Sequence, residues 1–148
     1  MNIKLRVKNL IKKFKSSSPY YLAGDLGIDI LYLDLPKSIR GFLVRVLKNK
    51  IIVINKSLDE TGRRVTLCHE LGHVRCHSGY GYYYHSDGTH YVPSKREREA
   101  NEFALYLLSY SHQGYLNTKL WEDFLAEKQP DPKLIHRILT EIMQCENC

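Results

Sequence analysis

His69, Glu70 and His73 stand in the segment Cys68-His69-Glu70-Leu71-Gly72-His73, which has the pattern His-Glu-x-x-His. On a helix, residues i and i+4 share a face about one turn apart. Two imidazoles can therefore aim at one cation. Glu70 is rotated from His69 by about 100° and can flank the same cation. Two nitrogen ligands, and a carboxylate beside the water that the metal activates, are what a zinc hydrolase needs. The bland alternative is a pair of exposed histidines on an amphipathic helix. Val65, Leu71 and Val74 weigh against it, because they give this helix core contacts.

A catalytic zinc takes three protein ligands and keeps one position for water. The downstream candidates are His77, His85, His90, Glu97, Glu99 and Glu102. Helical phase separates the glutamates. Glu97, Ala100, Asn101, Ala104 and Leu108 form one stripe, and its two alanines allow close approach of another helix. Glu99 shares a face with Phe103 and Tyr106. Glu102 lies with Arg98 and Ser109 on a face that reads as solvated. Geometry thus favours Glu97, with Asn101 one turn on to orient a ligand. The competing reading is that Glu97 only closes a capping box with Ser94.

These residues need a scaffold. Ile3, Val7, Leu10, Ile11 and Phe14 trace the apolar stripe of a first helix, with lysines outside. Ser18-Pro19 opens a short helix that ends near Gly27. Strand-like alternation follows at Ile28, Ile30 and Tyr32, then in 42–47 and 51–55. Lys48-Asn49-Lys50 reads as the hairpin connection. Ser57 and Glu60 suggest a capping box for a helix to about His77. Residues 79–93 form a long polar and aromatic loop with Tyr80, Tyr82, Tyr83, Tyr84 and Tyr91. A helix from Ser94 to about Leu108 follows, then two more near 116–128 and 132–144, the last opened by Asp131-Pro132. The expected fold class is α+β, with a small antiparallel sheet of about three strands packed with helices.

The chain has 148 residues, 43% of them hydrophobic and 26% charged. That predicts one globular domain over 1–148. No apolar run nears the ~18 residues of a membrane span. The basic start lacks the apolar block of a secretory signal, so the sequence predicts an intracellular, cytoplasmic protein. The net charge is +6, and six basic residues fall within the first 16. They read as a solvated helix face, and direct nucleic-acid binding is not favoured. Cys145-x-x-Cys148 has metal-site spacing, but one terminal pair is short of four ligands. Cys68 and Cys76 read as small buried side chains. His85, His90 and the loop tyrosines are candidates to stabilise an oxyanion. Nothing in the sequence selects one.

His69-Glu70-Leu71-Gly72-His73, followed by Glu97-Arg98-Glu99-Ala100-Asn101-Glu102-Phe103-Ala104 and Leu107-Leu108, resembles the ImmA/IrrE-type metallo-endopeptidases. The likeness covers about 18–108, including Tyr21-Leu22-Ala23, Gly41 and Asn55. Residues 109–148 are left as C-terminal helices. Ser109-Tyr110 stands where the family often has Met-Pro. The resemblance implies a zincin-like fold and a zinc-dependent peptidase, with His69, His73 and Glu97 as zinc ligands and Glu70 as the catalytic carboxylate. It also implies a protein substrate, a helix-turn-helix repressor of a prophage or mobile element. The alternative is a metal-binding regulatory module that acts on a repressor by association, without cleavage.

Overall fold

The computed structural model describes residues 1–77, 83–85, 95–111, 118–126 and 131–144. The elements run α1 (Ile3–Phe14), α2 (Pro19–Asp25), β1 (Ile28–Leu33), β2 (Ile39–Val46), β3 (Asn49–Asn55), α3 (Glu60–Cys76), β4 (Tyr83–His85), α4 (Lys95–Ser111), α5 (Thr118–Ala126) and α6 (Pro132–Gln144). The α+β class is as the sequence predicts. No helix among the described residues is long and apolar enough to cross a membrane.

Each early helix starts and stops for local reasons. Asn2 caps α1 by accepting from Leu5 N at 3.0 Å. Ser18 precedes Pro19 at the first turn of α2. Gly27, at φ +72°, then turns the chain into β1 through the left-handed region that glycine tolerates.

The sheet has the order β1-β3-β2-β4 and is mixed, not wholly antiparallel. β2 pairs antiparallel with β3 and β4, but β1 pairs parallel with β3. The reason is insertion. Successive strands alternate in direction, so β1 and β3 point the same way. β3 then enters between β1 and β2, which makes its contact with β1 parallel. Asn55, at the end of β3, holds this crossing together. Its buried amide donates to the carbonyls of Leu35 and Pro36 on the link between β1 and β2, and to that of Ile39 at the start of β2.

Two boundaries differ from the sequence expectation. The hairpin turn is Leu47-Lys48, because Val46 pairs with Asn49. Leu47 adopts φ +57° and is 97% exposed, so its apolar character hid the turn. Helix α3 is capped by Asp59, whose Oδ1 accepts from Gly62 N at 2.8 Å. Ser57 lies two residues before that cap, where its N–H and hydroxyl both donate to Asn55 Oδ1. Within the expected loop, Tyr83–His85 forms strand β4 against β2. Ser94 and the rest of 79–93 lie outside the described residues, as do Cys145 and Cys148.

The core runs through the whole chain, from Ile3 in α1 to Ile142 in α6. Helix α3 crosses its middle, with β2 and β3 on one side and α4 on the other. Two glycines permit this. A Cβ on Gly41 would lie 2.6 Å from the Val53 carbonyl and 2.7 Å from Thr66 Cγ2. A Cβ on Gly72 would lie 3.0 Å from both Cα and O of Ala100. The second contact is the small-residue seam that brings α3 against α4.

Candidate metal centre

The site lies on the α3–α4 seam. His69 and His73, one turn apart on α3, both point at Glu97 in the first turn of α4. His69 Nε2 is 3.1 Å from Glu97 Oε2, and His73 Nε2 is 2.8 Å from Oε1. The two Nε2 atoms are 3.2 Å apart. Both histidines are fully buried, and Glu97 is 8% exposed.

Those separations suit a cation. Donor atoms bound tetrahedrally at the usual zinc distances stand about 3.3 Å from one another. The hydrogen bonds point the same way. His69 Nδ1 lies 2.7 Å from Asn101 Oδ1, so it carries a proton that the amide oxygen accepts. In the neutral ring, Nε2 is then a bare lone pair. It faces a carboxylate oxygen and a second imidazole nitrogen. Convergent lone pairs repel unless a proton or a metal ion sits between them. His69, His73 and Glu97 form a buried group that could hold a metal ion.

Burial pushes the His73 imidazole down to about 4, against the hydrogen bond to Glu97 that favours its charged form. A neutral ring is the form that ligates a metal. Burial would raise the Glu97 carboxyl. Wherever His69 and His73 carry a proton on Nε2, their hydrogen bonds and charge outweigh it and hold that carboxyl below its ordinary range, and a cation between the three groups would act in the same direction.

Glu70 is fully buried. Neither of its carboxylate oxygens has a hydrogen-bond partner among the described residues. Burial raises its carboxyl well above the ordinary value, and the negative charge of nearby Glu97 raises it further. A buried, unpartnered carboxylate is costly to a fold. Its presence beside convergent metal-type donors is a sign of function rather than of packing.

Sequence phase therefore brings Glu97, and neither of the other glutamates, to the two histidines. Glu99 touches His77 instead, with Oε1 3.3 Å from His77 Nε2. Glu102 is half-buried rather than solvated, because its stripe packs inward. Burial raises its carboxyl, and its hydrogen bond with Tyr106 works against that. Ser109, read as solvated, is buried and donates to the Tyr106 carbonyl at 2.6 Å. Cys68 is buried, as expected, and Cys76 is partly so. His85 falls on β4, while His90, Tyr80, Tyr82 and Tyr91 lie outside the described residues.

Sequence reasoning missed two contacts. Arg45 on β2 donates to the His77 carbonyl at 2.7 Å, which ties the sheet to the end of α3. His77 itself meets His73 ring to ring. The i+4 spacing from His73 to His77 was the available signal.

The peptidase-family model described as the IrrE N-terminal-like domain matches residues 23–110, a span that holds both halves of this site. The chain belongs to this family. IrrE-type domains are metal-dependent, in keeping with the buried His69, His73 and Glu97 group. The chain is also 37% identical over 126 residues to a protein of Bacillus phage phi105 named "Uncharacterized immunity region protein 2". That alignment covers 84% of this chain and 80% of the phage protein. No solved structure gives a significant match.

Proposed function

We propose that the protein is a zinc-dependent endopeptidase that cuts a specific protein, a helix-turn-helix repressor of a phage or mobile element. The observation that carries this reading is the buried, unpartnered Glu70 beside the convergent His69, His73 and Glu97 donors. Family membership supports peptidase chemistry, and the phage immunity-region relative supports a repressor as the substrate. Residues 1–148 are read as one metallopeptidase-like domain acting in the cytoplasm, where such a repressor would be met.

His69, His73 and Glu97 are the proposed ligands. One carboxylate and two neutral imidazoles would leave a divalent ion with net positive charge. A zinc ion held there would polarise the scissile carbonyl and lower the pKa of a bound water toward about 7. Asn101 fixes the His69 ring by accepting a hydrogen bond from its Nδ1–H. Glu70 takes a proton from the attacking water and later delivers it to the leaving amine. Burial keeps bulk water from Glu70 and makes it a stronger base than an exposed carboxylate.

The test is Glu70→Gln, which keeps the size of the side chain and loses the base. A purified helix-turn-helix repressor from the same phage or mobile element, incubated with zinc-loaded protein, is expected to be cut by wild type and left intact by the Gln variant. In cells, wild type should lower the amount of intact repressor. If the Gln variant relieves repression as well as wild type does, the protein acts by association and the peptidase reading fails.

A further inference from the structure

His69 and His73 on α3 and His77 at its C-cap follow one another at four-residue steps, yet His77 does not join the candidate ligand cluster. It meets His73 from behind. Nδ1 of His77 is 3.0 Å from Nδ1 of His73, the nitrogen facing away from Glu97. On its other side, His77 Nε2 reaches Glu99 Oε1 at 3.3 Å. The His77 side chain is 6% exposed and that of Glu99 is 16% exposed. The backbone of His77 is pinned as well. Its N–H donates to the His73 carbonyl at 2.9 Å, and its carbonyl accepts from Arg45. The N–H bond is the ordinary one of a helix C-cap, but the two ring contacts and the Arg45 bond are not what a surface histidine at a helix end would have.

We propose that His77 and Glu99 are positioning residues that hold the His73 ring with Nε2 presented to the metal. The inference rests on the zinc reading above. The order of protons follows from the contacts. A ring that ligates through Nε2 carries its proton on Nδ1. His73 Nδ1–H therefore donates to His77 Nδ1. His77 then carries its own proton on Nε2, and that N–H donates to the Glu99 carboxylate. The carboxylate polarises the two rings in series and makes His73 a stronger donor to a cation. His69 has a different backing, the neutral amide oxygen of Asn101. The two histidine ligands are thus held by unlike partners, one neutral and direct, the other anionic and one ring removed. His77 cannot itself be a ligand in this arrangement, because it lies on the far side of the His73 ring.

The experiment measures zinc affinity of the metal-free protein by competition with a chelator, beside the melting temperature of the metal-free form and the visible spectrum of the cobalt(II) form. His77→Leu removes the acceptor. His77→Asn keeps an oxygen near the place of Nδ1. Glu99→Gln keeps the shape and loses the charge. The Leu variant is expected to bind zinc ~10–100-fold more weakly, the usual cost of losing a residue that supports a ligand. Its cobalt bands should shift, and its metal-free melting should stay near wild type. The Asn variant should recover most of the affinity, and the Gln variant should lose less than the Leu variant does. A purely structural role would lower the melting temperature and leave the affinity alone. Wild-type affinity in His77→Leu, or an Asn variant no better than Leu, overturns the proposal. If His77→Leu does not fold, unchanged affinity in Glu99→Gln overturns it. A wild-type chain that takes up no zinc overturns the zinc reading as well, so the two failures are distinct.

Discussion

Along α1, burial follows a single stripe. Ile3, Val7 and Leu10 are inside, while Lys4, Lys8, Lys12 and Lys13 remain in water. Along α3, every residue from Val65 to His73 is buried, and Thr66, His69, Glu70 and His73 are among them. A helix buried all round is ordinarily apolar all round. The polar groups on α3 are therefore expensive to the fold, and most of them converge on one point. The difference teaches where to look for chemistry. Helix α1 hides what water rejects, whereas α3 hides what water would have stabilised.

The sharpest way to break this comparison is to remove a proposed ligand. Wild type should bind about one zinc per chain, as expected for one site of two histidines and a carboxylate. His69→Ala, His73→Ala and Glu97→Ala should each largely empty the site, while Glu102→Ala should keep it. Zinc counted by elemental analysis after gel filtration decides this. Retention by the Glu97 variant would mean that α4 is not part of the site.

Glu70→Gln comes next. It should keep the zinc and lower cleavage by ~10²–10⁴-fold, the typical loss on removing a general base. Leu10→Ala makes the matching cut in α1, at a side chain 2% exposed in the main core cluster. It should cost about 2–5 kcal/mol of stability. Denaturant unfolding would show that loss, while zinc per folded chain should not change. Loss of zinc from folded Leu10→Ala protein would show that the two regions are not separable.

A smaller effect is expected at the seam. Gly72→Ala places a Cβ 3.0 Å from the Ala100 backbone. Helix propensity alone favours alanine there by about 1 kcal/mol. Overpacking opposes it by about 1–3 kcal/mol. A net loss of stability together with weaker zinc binding would show that helix separation sets the ligand geometry. A net gain would show that the seam can relax. The smallest effect belongs to the lysines of α1. Lys8→Gln with Lys12→Gln should alter stability by less than about 0.5 kcal/mol, and should leave zinc binding and cleavage unaltered. A large fall in cleavage with this pair would assign the basic face to substrate capture.

Much of the architecture is legible in particular residues. The stripe Ile3, Val7, Leu10 shows α1 because a solvated helix must sort its faces. Ser18-Pro19 and Asp131-Pro132 mark helix starts because proline suits the first turn, where its missing N–H costs nothing. Asp131 Oδ1 does accept from Lys133 N at 2.9 Å. The parallel pairing of β1 was not legible, because strand order is settled by which strand enters the sheet between its neighbours. The Leu47 turn and the Asp59 cap were missed for a related reason. Each depends on which local hydrogen bond wins, and Ser57 is taken by Asn55.

The sequence by itself determined the candidates. Helical periodicity puts His69 and His73 on one face with Glu70 beside them, and the phase of its own helix favours Glu97, because spacing along one helix fixes which side chains share a face. Only the tertiary structure decided how close the two helices come and what stands behind each histidine. Gly72 against Ala100 sets the approach. Asn101 against His69 and Glu99 against His77 are contacts between separate elements, which spacing along one helix does not fix. Their geometry follows from the packing of α3 against α4, and from Arg45 of β2 holding the end of α3.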